Sequence, residues 1–235
     1  MENHHASMIF QLLEVNGQIT IGVDEAGRGP LFGHVYTGAA ILPPETTDFD
    51  RSCLKDSKKF TSKKKIKEVF EYIKSNTEYY SINFSDHEEI DKYNILQATQ
   101  RSMHRCLHHI ITKIITLFSE RGVEFDTTIF EKIKILVDGN YFNTFKYFYE
   151  DKFYIINHEC LVKGDALSKE ISAASILAKV GRDDYIDEFI AENPEYDEMY
   201  NLSKNKGYAT KAHVEGIKKH GYSPYHRKSF KLKSI

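Results

Sequence analysis

Three apolar runs in this 235-residue chain each lead into a carboxylate, and this repeated feature limits the possible folds more than any other. The runs and their acids are residues 19–23 with Asp24 and Glu25, residues 133–137 with Asp138, and residues 160–164 with Asp165. Short apolar runs bounded by turn residues are typical of buried strands. A carboxylate beside a buried strand loses hydration unless a cation neutralises it. Because strands of one sheet can bring their ends together, the pattern predicts a sheet with an acidic cluster at one edge.

The chemistry of this acid set favours a hard divalent cation. Oxygen ligands without cysteine and without an obligatory histidine suit Mg²⁺ or Mn²⁺. Two such ions, about 3.5–4 Å apart, can activate a water and stabilise the leaving oxygen in phosphodiester hydrolysis. Any one of the acids alone could instead be a helix cap or a turn residue. That alternative is weaker for the whole set, because three similar strand-end contexts would have to coincide.

The rest of the pattern favours an α/β fold with a five-stranded mixed sheet. Strands are predicted at residues 19–23, 34–42, 79–84, 132–137 and 153–162. Helices are predicted from Thr61 or Ser62 to residue 74, and over residues 94–120, 168–191 and 210–220. Pro194 ends the third of these helices. We therefore expect a catalytic domain over residues 1–192 and a small basic helical extension over residues 193–235.

Charge is unevenly distributed along a chain whose formal net charge is only −2. The C-terminal segment 203–235 carries Lys204, Lys206, Lys211, Lys218, Lys219, Arg227, Lys228, Lys231 and Lys233 against the single acid Glu215. A second lysine cluster comprises Lys55, Lys58, Lys59, Lys63, Lys64, Lys65 and Lys67. Such segregation can focus a positive field on one face, as a nucleic-acid partner requires. Two solvated lysine-rich faces without a partner are the alternative.

The cysteines and the apolar stretches indicate a cytosolic protein without a membrane anchor. Cys53, Cys106 and Cys160 are odd in number, far apart and outside any zinc-ligand spacing, so a reducing compartment is expected. The N-terminal apolar stretch is too short for a signal peptide and lacks a basic flank. No run of 18 apolar residues occurs anywhere in the chain.

Gly27, Arg28 and Gly29 directly follow the paired acids of the first strand. Two glycines allow backbone N–H groups to approach a sugar-phosphate chain, and the arginine between them can bind a phosphate. A Gly-x-Gly sequence alone is weak evidence, and a tight turn with a surface arginine is the alternative. The adjacent Asp24 and Glu25 favour the functional interpretation.

The chain resembles the ribonuclease HII family, the type 2 ribonucleases H. The resemblance is carried by DEAGRGP at 24–30, DSKK at 56–59, NILQAT at 94–99, VDGN at 137–140, KGD at 163–165, ISAASILAK at 171–179, KGY at 206–208 and HRKSF at 226–230. These blocks occur in the family's order over nearly the whole chain. Arg28 favours ribonuclease HII over the related ribonuclease HIII, whose corresponding loop lacks that arginine.

The resemblance implies a ribonuclease H-like fold and an endonuclease that cleaves the RNA strand of RNA–DNA hybrids and single ribonucleotides embedded in duplex DNA. It also implies that the family's metal-binding and catalytic carboxylates fall on Asp24, Glu25, Asp138 and Asp165. In the family, the loop matching Gly27, Arg28 and Gly29 recognises the 2′-hydroxyl at an RNA–DNA junction, and the tyrosine matching Tyr208 packs on the adjoining sugar. The 2′-hydroxyl is the group that distinguishes a ribonucleotide from its deoxy neighbour.

The chain departs from the family pattern around Tyr208. Ala209 stands where the family usually has proline or glycine, Asn205 stands where it often has histidine, and segment 196–204 is a few residues longer. These departures surround Tyr208 on both sides. The four carboxylates show no departure.

The sequence thus predicts a metal-dependent nuclease that acts by in-line attack of water on the phosphorus 5′ of a ribonucleotide, leaving a 3′-hydroxyl and a 5′-phosphate. Its expected roles are ribonucleotide removal from DNA and degradation of RNA primers. Lys58 and Lys59 are expected to contact phosphates, with an exposed pair at a helix start as the alternative. A nucleic-acid binding module without turnover is the rival function. The family resemblance suggests a monomer.

Overall fold

The computed structural model describes residues 7–232 of the chain. Strands of this part are β1 (Ile19–Ala26), β2 (Val35–Ala40), β3 (Tyr80–Ser85), β4 (Ile133–Asp138), β5 (Lys146–Tyr149), β6 (Lys152–Ile155) and β7 (Asn157–Leu161). Five of them form a sheet in the order β3-β2-β1-β4-β7. The β1–β2 and β2–β3 pairs are antiparallel, whereas β1–β4 and β4–β7 are parallel. The predicted five-stranded mixed sheet is confirmed.

The prediction of one strand over residues 153–162 is wrong. The chain there forms β6, which pairs with β5 in a separate hairpin, and then β7, which joins the main sheet. The break falls at Ile156, which is fully buried and donates its N–H to the carbonyl of Phe145 at 3.1 Å. The strand-forming run from Phe153 to Ile156 gives way there to Asn157, a residue that strands disfavour, and the apolar residues on both sides of it suggest a single strand.

Eight α-helices lie within the described residues. They are α1 (Met8–Asn16), α2 (Lys63–Asn76), α3 (His87–Glu120), α4 (Gly164–Leu167), α5 (Lys169–Glu192), α6 (Pro194–Tyr200), α7 (Leu202–Asn205) and α8 (Lys211–His220). The predicted helices over 168–191 and 210–220 correspond to α5 and α8. The helix predicted to end at residue 74 corresponds to α2, which begins after Ser62.

The two faces of the sheet are covered by different helices. On one face, Ile21 of β1 packs in one cluster with Ile9 of α1 and Ile110 of α3. On the other face, α2 and α5 pack over β2. A side chain at Gly22 of β1 would lie 2.0 Å from the backbone of Glu170, so glycine allows α5 to cross close to the sheet. Each fully buried isoleucine side chain contributes roughly 1.5–3 kcal/mol to stability.

Helix α3 has two parts that meet at Asn94. This residue has φ 66° and ψ 162°, outside the helical region, and its Oδ1 accepts a hydrogen bond from the N–H of Gln97 at 3.1 Å. Asn94 therefore caps the second part, which begins where the sequence predicts a helix. The first part, from His87, was missed; the side chain of Asp86 caps it by accepting from the N–H of Glu89.

The C-terminal helices pack against α5 and the loop after β1 in a separate apolar cluster. Phe32, in the loop after β1, lies in this cluster with Ile186 and Phe189 of α5, Tyr200 of α6 and Ile217 of α8. The segment after α5 is helical, as the sequence predicts, although Lys233 lies outside the described residues. This packing places residues 200–230 beside the loop that follows β1.

No helix within residues 7–232 is both long enough and apolar enough to cross a membrane.

Candidate active site

The acids of β1 and β4 meet at one edge of the sheet because the two strands are parallel neighbours. Val23 pairs with Val137, so Asp24 and Asp138 follow at the same level. Asp24, Glu25 and Asp138 line one cavity of about 450 Å³. The convergence predicted from the strand ends thus holds for these three acids.

Asp165 lies beside Asp138 but faces an adjoining space. It is in the short helix α4, whose Gly164 donates its N–H to Oδ1 of Asp138 at 2.7 Å. Asp165 lines a neighbouring cavity of about 120 Å³ together with Asp56 and Lys59. Within residues 7–232, no group of three or more histidine, cysteine, aspartate or glutamate side chains is arranged to hold a metal ion.

The acids destabilise one another's charged forms. Burial raises the pKa of Asp24 well above its usual range, and the negative charges of Glu25 and Asp138 raise it further. Burial also raises the pKa of Glu25, although Arg28 opposes that rise. The pKa of Asp165 is raised by burial and then by the charges of Asp56 and Asp138. A bound cation would relieve this desolvation and repulsion, so the donor set fits a hard divalent ion chemically.

Positive side chains surround the acids. Arg28 pairs with Glu25 at 3.3 Å, and Lys58 lines the larger cavity. The positive charge of Lys58 lowers the pKa of both Glu25 and Asp165, so this lysine stabilises the charged forms of both acids. The turn that carries it is held to α5 by a 3.0 Å hydrogen bond between Ser57 and Ser175. Lys58 and Lys59 therefore lie at the two cavities that contain the acids.

The loop after β1 and Tyr208 form another wall of the larger cavity. Gly27, Arg28, Gly29 and Tyr208 all line it. Gly27 has φ +90°, and a side chain there would lie 2.1 Å from Nε of Arg182. Tyr208 is 46% exposed, and its ring lies 3.4 Å from where a Cβ of Gly29 would stand. The structure thus brings the predicted substrate-contacting residues together beside the acids.

Two buried arginines, Arg182 and Arg227, hold this wall, and no sequence pattern indicates this role for either of them. Arg182 is 1% exposed and Arg227 is fully buried. Arg182 donates to the carbonyls of His34 and Lys206 at 3.3 Å and 2.7 Å. Burial, together with the charge of Arg182, lowers the pKa of Arg227 to about 9, so this side chain stays charged at neutral pH. Arg227 belongs to the HRKSF block, but nothing local indicates its contacts.

A buried histidine pair supports Tyr208 from behind. The N–H of Ser223 donates to Nδ1 of His226 at 2.9 Å, so the ring proton of neutral His226 is on Nε2. Nε2 of His226 lies 3.0 Å from Nε2 of His213 and donates this proton to it, so Nδ1 of His213 donates to the carbonyl of Tyr208 at 2.9 Å. With both rings neutral, these hydrogen bonds direct Nδ1–H of His213 to the backbone carbonyl of Tyr208.

The departures around Tyr208 have a structural account at Asn205. Its Oδ1 accepts from the N–H of Gly207 at 2.7 Å, and its Nδ2 donates to the carbonyl of Tyr200 at 2.6 Å. Asn205 therefore orders the turn that leads into Tyr208. Segment 196–204 contributes to α6 and α7, whereas Ala209 is exposed.

Comparison with known proteins agrees with this architecture. A family model described as ribonuclease HII matches residues 21–233. A protein named ribonuclease HII from Parabacteroides distasonis is 39% identical over 225 residues, which cover 96% of each chain. The crystal structure of ribonuclease H2 from Pyrococcus horikoshii OT3 matches with a TM-score of 0.64 at 23% identity, over 91% of this chain and 94% of that one. Bst-RNase HIII in complex with Mn²⁺ matches with a TM-score of 0.57 at 18% identity, over 98% and 72%.

Proposed function

The chain belongs to the ribonuclease HII family, hydrolases that cleave RNA in RNA–DNA hybrids, and we propose that it also incises duplex DNA on the 5′ side of single embedded ribonucleotides. The observation that carries this proposal is the shared cavity. Mutually repelling acids on β1 and β4 lie there beside the loop containing Gly27, Arg28 and Gly29. A site that combines a place for cations with backbone donors suits cleavage of a sugar-phosphate chain at a chosen sugar.

We propose that Asp24, Glu25, Asp138 and Asp165 hold Mg²⁺ or Mn²⁺, two ions when the site is fully loaded. The raised pKa values of Asp24, Glu25 and Asp165 support this assignment, because burial and mutual repulsion destabilise their charged forms and a bound cation would stabilise them. A structural neighbour, Bst-RNase HIII, is described in complex with Mn²⁺. When bound, such ions supply a more acidic water and charge stabilisation of the leaving oxygen. The expected products are a 3′-hydroxyl and a 5′-phosphate.

The chain's own residues would bind and orient the substrate. Loop residues Gly27, Arg28 and Gly29 would contact the ribonucleotide around its 2′-hydroxyl, and Tyr208 would pack against the adjoining sugar. Lys58 and Lys59 would neutralise backbone phosphates near the scissile bond. These roles are supported by the positions of the residues at the two cavities.

The cellular roles we propose are removal of ribonucleotides from DNA and degradation of RNA primers. We further propose that the protein acts as a monomer in the cytosol. Free thiols at Cys53, Cys106 and Cys160 support a reducing compartment.

Incubation of a duplex containing one ribonucleotide with Mg²⁺ or Mn²⁺ tests the function. The native protein should cleave it, whereas Asp138→Asn should lose cleavage by at least about 100-fold and still bind the duplex. Asp48→Asn, the same change on an exposed loop, is the matched control and should cleave normally. Equal cleavage by native protein and Asp138→Asn would contradict the site, and absence of cleavage by native protein would favour a binding module.

A further inference from the structure

Arg227 binds the loop 27–33 entirely through backbone carbonyls. Its Nη2 donates to the carbonyl of Gly27 at 2.7 Å, and its Nη1 donates to those of Arg28 at 3.0 Å and Pro30 at 2.7 Å. Its Nε donates to the carbonyl of Gly33 at 2.8 Å. Four of the five donors of a guanidinium are thus used on one loop. A buried arginine with these four hydrogen bonds fixes the orientation of several peptide planes at once.

The orientation has a direct consequence for the N–H groups of the same loop. In a trans peptide the carbonyl and the following N–H point in opposite directions. Residues 7–232 contain no cis peptide bond. The carbonyls of Gly27 and Arg28 point at Arg227, so the N–H groups of Arg28 and Gly29 point away from it.

These two N–H groups are available for a ligand. In the described part of the chain, neither Arg28 nor Gly29 donates its backbone N–H to another residue, whereas the N–H of Leu31 reaches Gly207 and that of Gly33 reaches Tyr225. Arg28 and Gly29 line the cavity that contains the acids. Backbone N–H groups are common donors to phosphate and sugar oxygens.

We propose that Arg227 is a positioning residue for ribonucleotide recognition, which presents the N–H groups of Arg28 and Gly29 to the ribose at the RNA–DNA junction. This proposal rests on the proposed function. Arg227 touches no substrate and acts through the loop. Lysine cannot replace it, because a single ammonium cannot reproduce a planar fork that engages carbonyls spread from Gly27 to Gly33.

The test measures selectivity in binding, without turnover. In an Asp138→Asn background, the dissociation constants are measured for two duplexes that differ by one 2′-hydroxyl. Selectivity is the dissociation constant of the all-DNA duplex divided by that of the duplex with the ribonucleotide. This ratio should fall about tenfold when Arg227→Lys is added, since two hydrogen bonds of ordinary strength are misplaced. Affinity for the all-DNA duplex should stay within about twofold. Arg105→Lys is the matched control, because Arg105 also donates to a backbone carbonyl, that of Phe84, outside this cavity.

The outcomes separate this proposal from the function on which it rests. An unchanged ratio in the folded Arg227→Lys protein overturns the positioning role and leaves the function intact. A background protein that does not prefer the ribonucleotide overturns both. Because the ratio is a property of folded molecules, partial unfolding does not imitate the expected result. Should Arg227→Lys not fold, Phe230→Leu decides, since it keeps Arg227 and removes the ring 5.2 Å from its guanidinium. The ratio should then fall severalfold, and an unchanged ratio overturns the proposal.

Discussion

Mild acid should destabilise the folded chain through His226. This side chain is fully buried and makes no contact with bulk water. Burial, reinforced by the nearby His213 and His87, lowers the pKa of His226 from 6.5 to about 3. In the unfolded chain the same ring takes up a proton near pH 6.5. Between these values the unfolded state binds more protons, so stability falls as pH falls below 6.5.

The magnitude follows from the two pKa values. At pH 5 a histidine with a pKa of 6.5 is protonated about 30-fold over its neutral form, whereas the folded His226 remains neutral. The free energy of unfolding therefore loses about 2 kcal/mol between pH 8 and pH 5 through this one residue. His213 and His34, whose pKa values burial also lowers, add losses of the same sign.

Urea unfolding at pH 8 and pH 5 measures this effect when native protein is compared with His226→Asn. Asparagine retains an acceptor for the N–H of Ser223 but takes up no proton, so the variant should lose about 2 kcal/mol less than native protein over this range. At pH 8 it should itself be less stable by roughly 1–3 kcal/mol, because His213 loses its donor. His109→Asn, at an exposed position on α3, should follow the native curve. Native and His226→Asn curves that run parallel from pH 8 to pH 5 would refute the reasoning.

Three further outcomes are expected. Gly27→Ala should cost about 1–3 kcal/mol and reduce cleavage, because its φ of +90° and the nearby Arg182 leave no room for a side chain. Gly122→Ala, in open space, should leave cleavage unchanged. Cleavage by Gly27→Ala at the native rate would contradict the account of this loop. Lys58→Ala and Lys59→Ala should each lower the slope of log affinity against log salt by about 1, whereas Lys146→Ala on the hairpin should not, as titrations at several salt concentrations will show. Mg²⁺ at 100 times its dissociation constant for native protein should raise the free energy of unfolding of native protein by about 2.7 kcal/mol. An equal rise in Asp138→Asn at the same Mg²⁺ concentration would mean that the ion binds away from Asp138.

The acids on β1 and β4 could be predicted from sequence because their signal is local. An apolar run followed by a carboxylate marks a strand end. Parallel pairing of β1 and β4 brings their ends, and with them Asp24 and Asp138, to the same edge of the sheet. Asp165 carried the same signal, yet the short helix α4 turns it toward an adjoining cavity. The direction of a side chain after a strand depends on the turn that follows, which the strand pattern does not describe.

The contacts of Arg227 had no local signal at all. Its hydrogen bond to Gly27 joins residues 200 positions apart, and its partners are carbonyls, which every residue possesses. Similarly, the relay of His213 and His226 depends on the packing of α8 against the final loop. Periodicity and motif spacing predict elements and acid clusters, whereas long-range bonds to backbone groups emerge only from the assembled fold.

The cavity is lined by the acids of β1 and β4 and by the loop 27–33, and these two parts depend to different extents on the C-terminal segment for their positions. The acids of β1 and β4 are placed by pairing within the sheet, which needs no residue beyond β7. In the loop 27–33, by contrast, four carbonyls accept hydrogen bonds from the side chain of Arg227. The N–H of Leu31 donates to the carbonyl of Gly207, and the carbonyl of Leu31 accepts from the N–H of Arg227. Buried carbonyls without donors cost about 1–3 kcal/mol each, so this loop cannot keep its conformation alone. We infer that pairing within the sheet places the acids of β1 and β4, whereas the conformation of the loop 27–33 depends on residues more than 170 positions downstream of it.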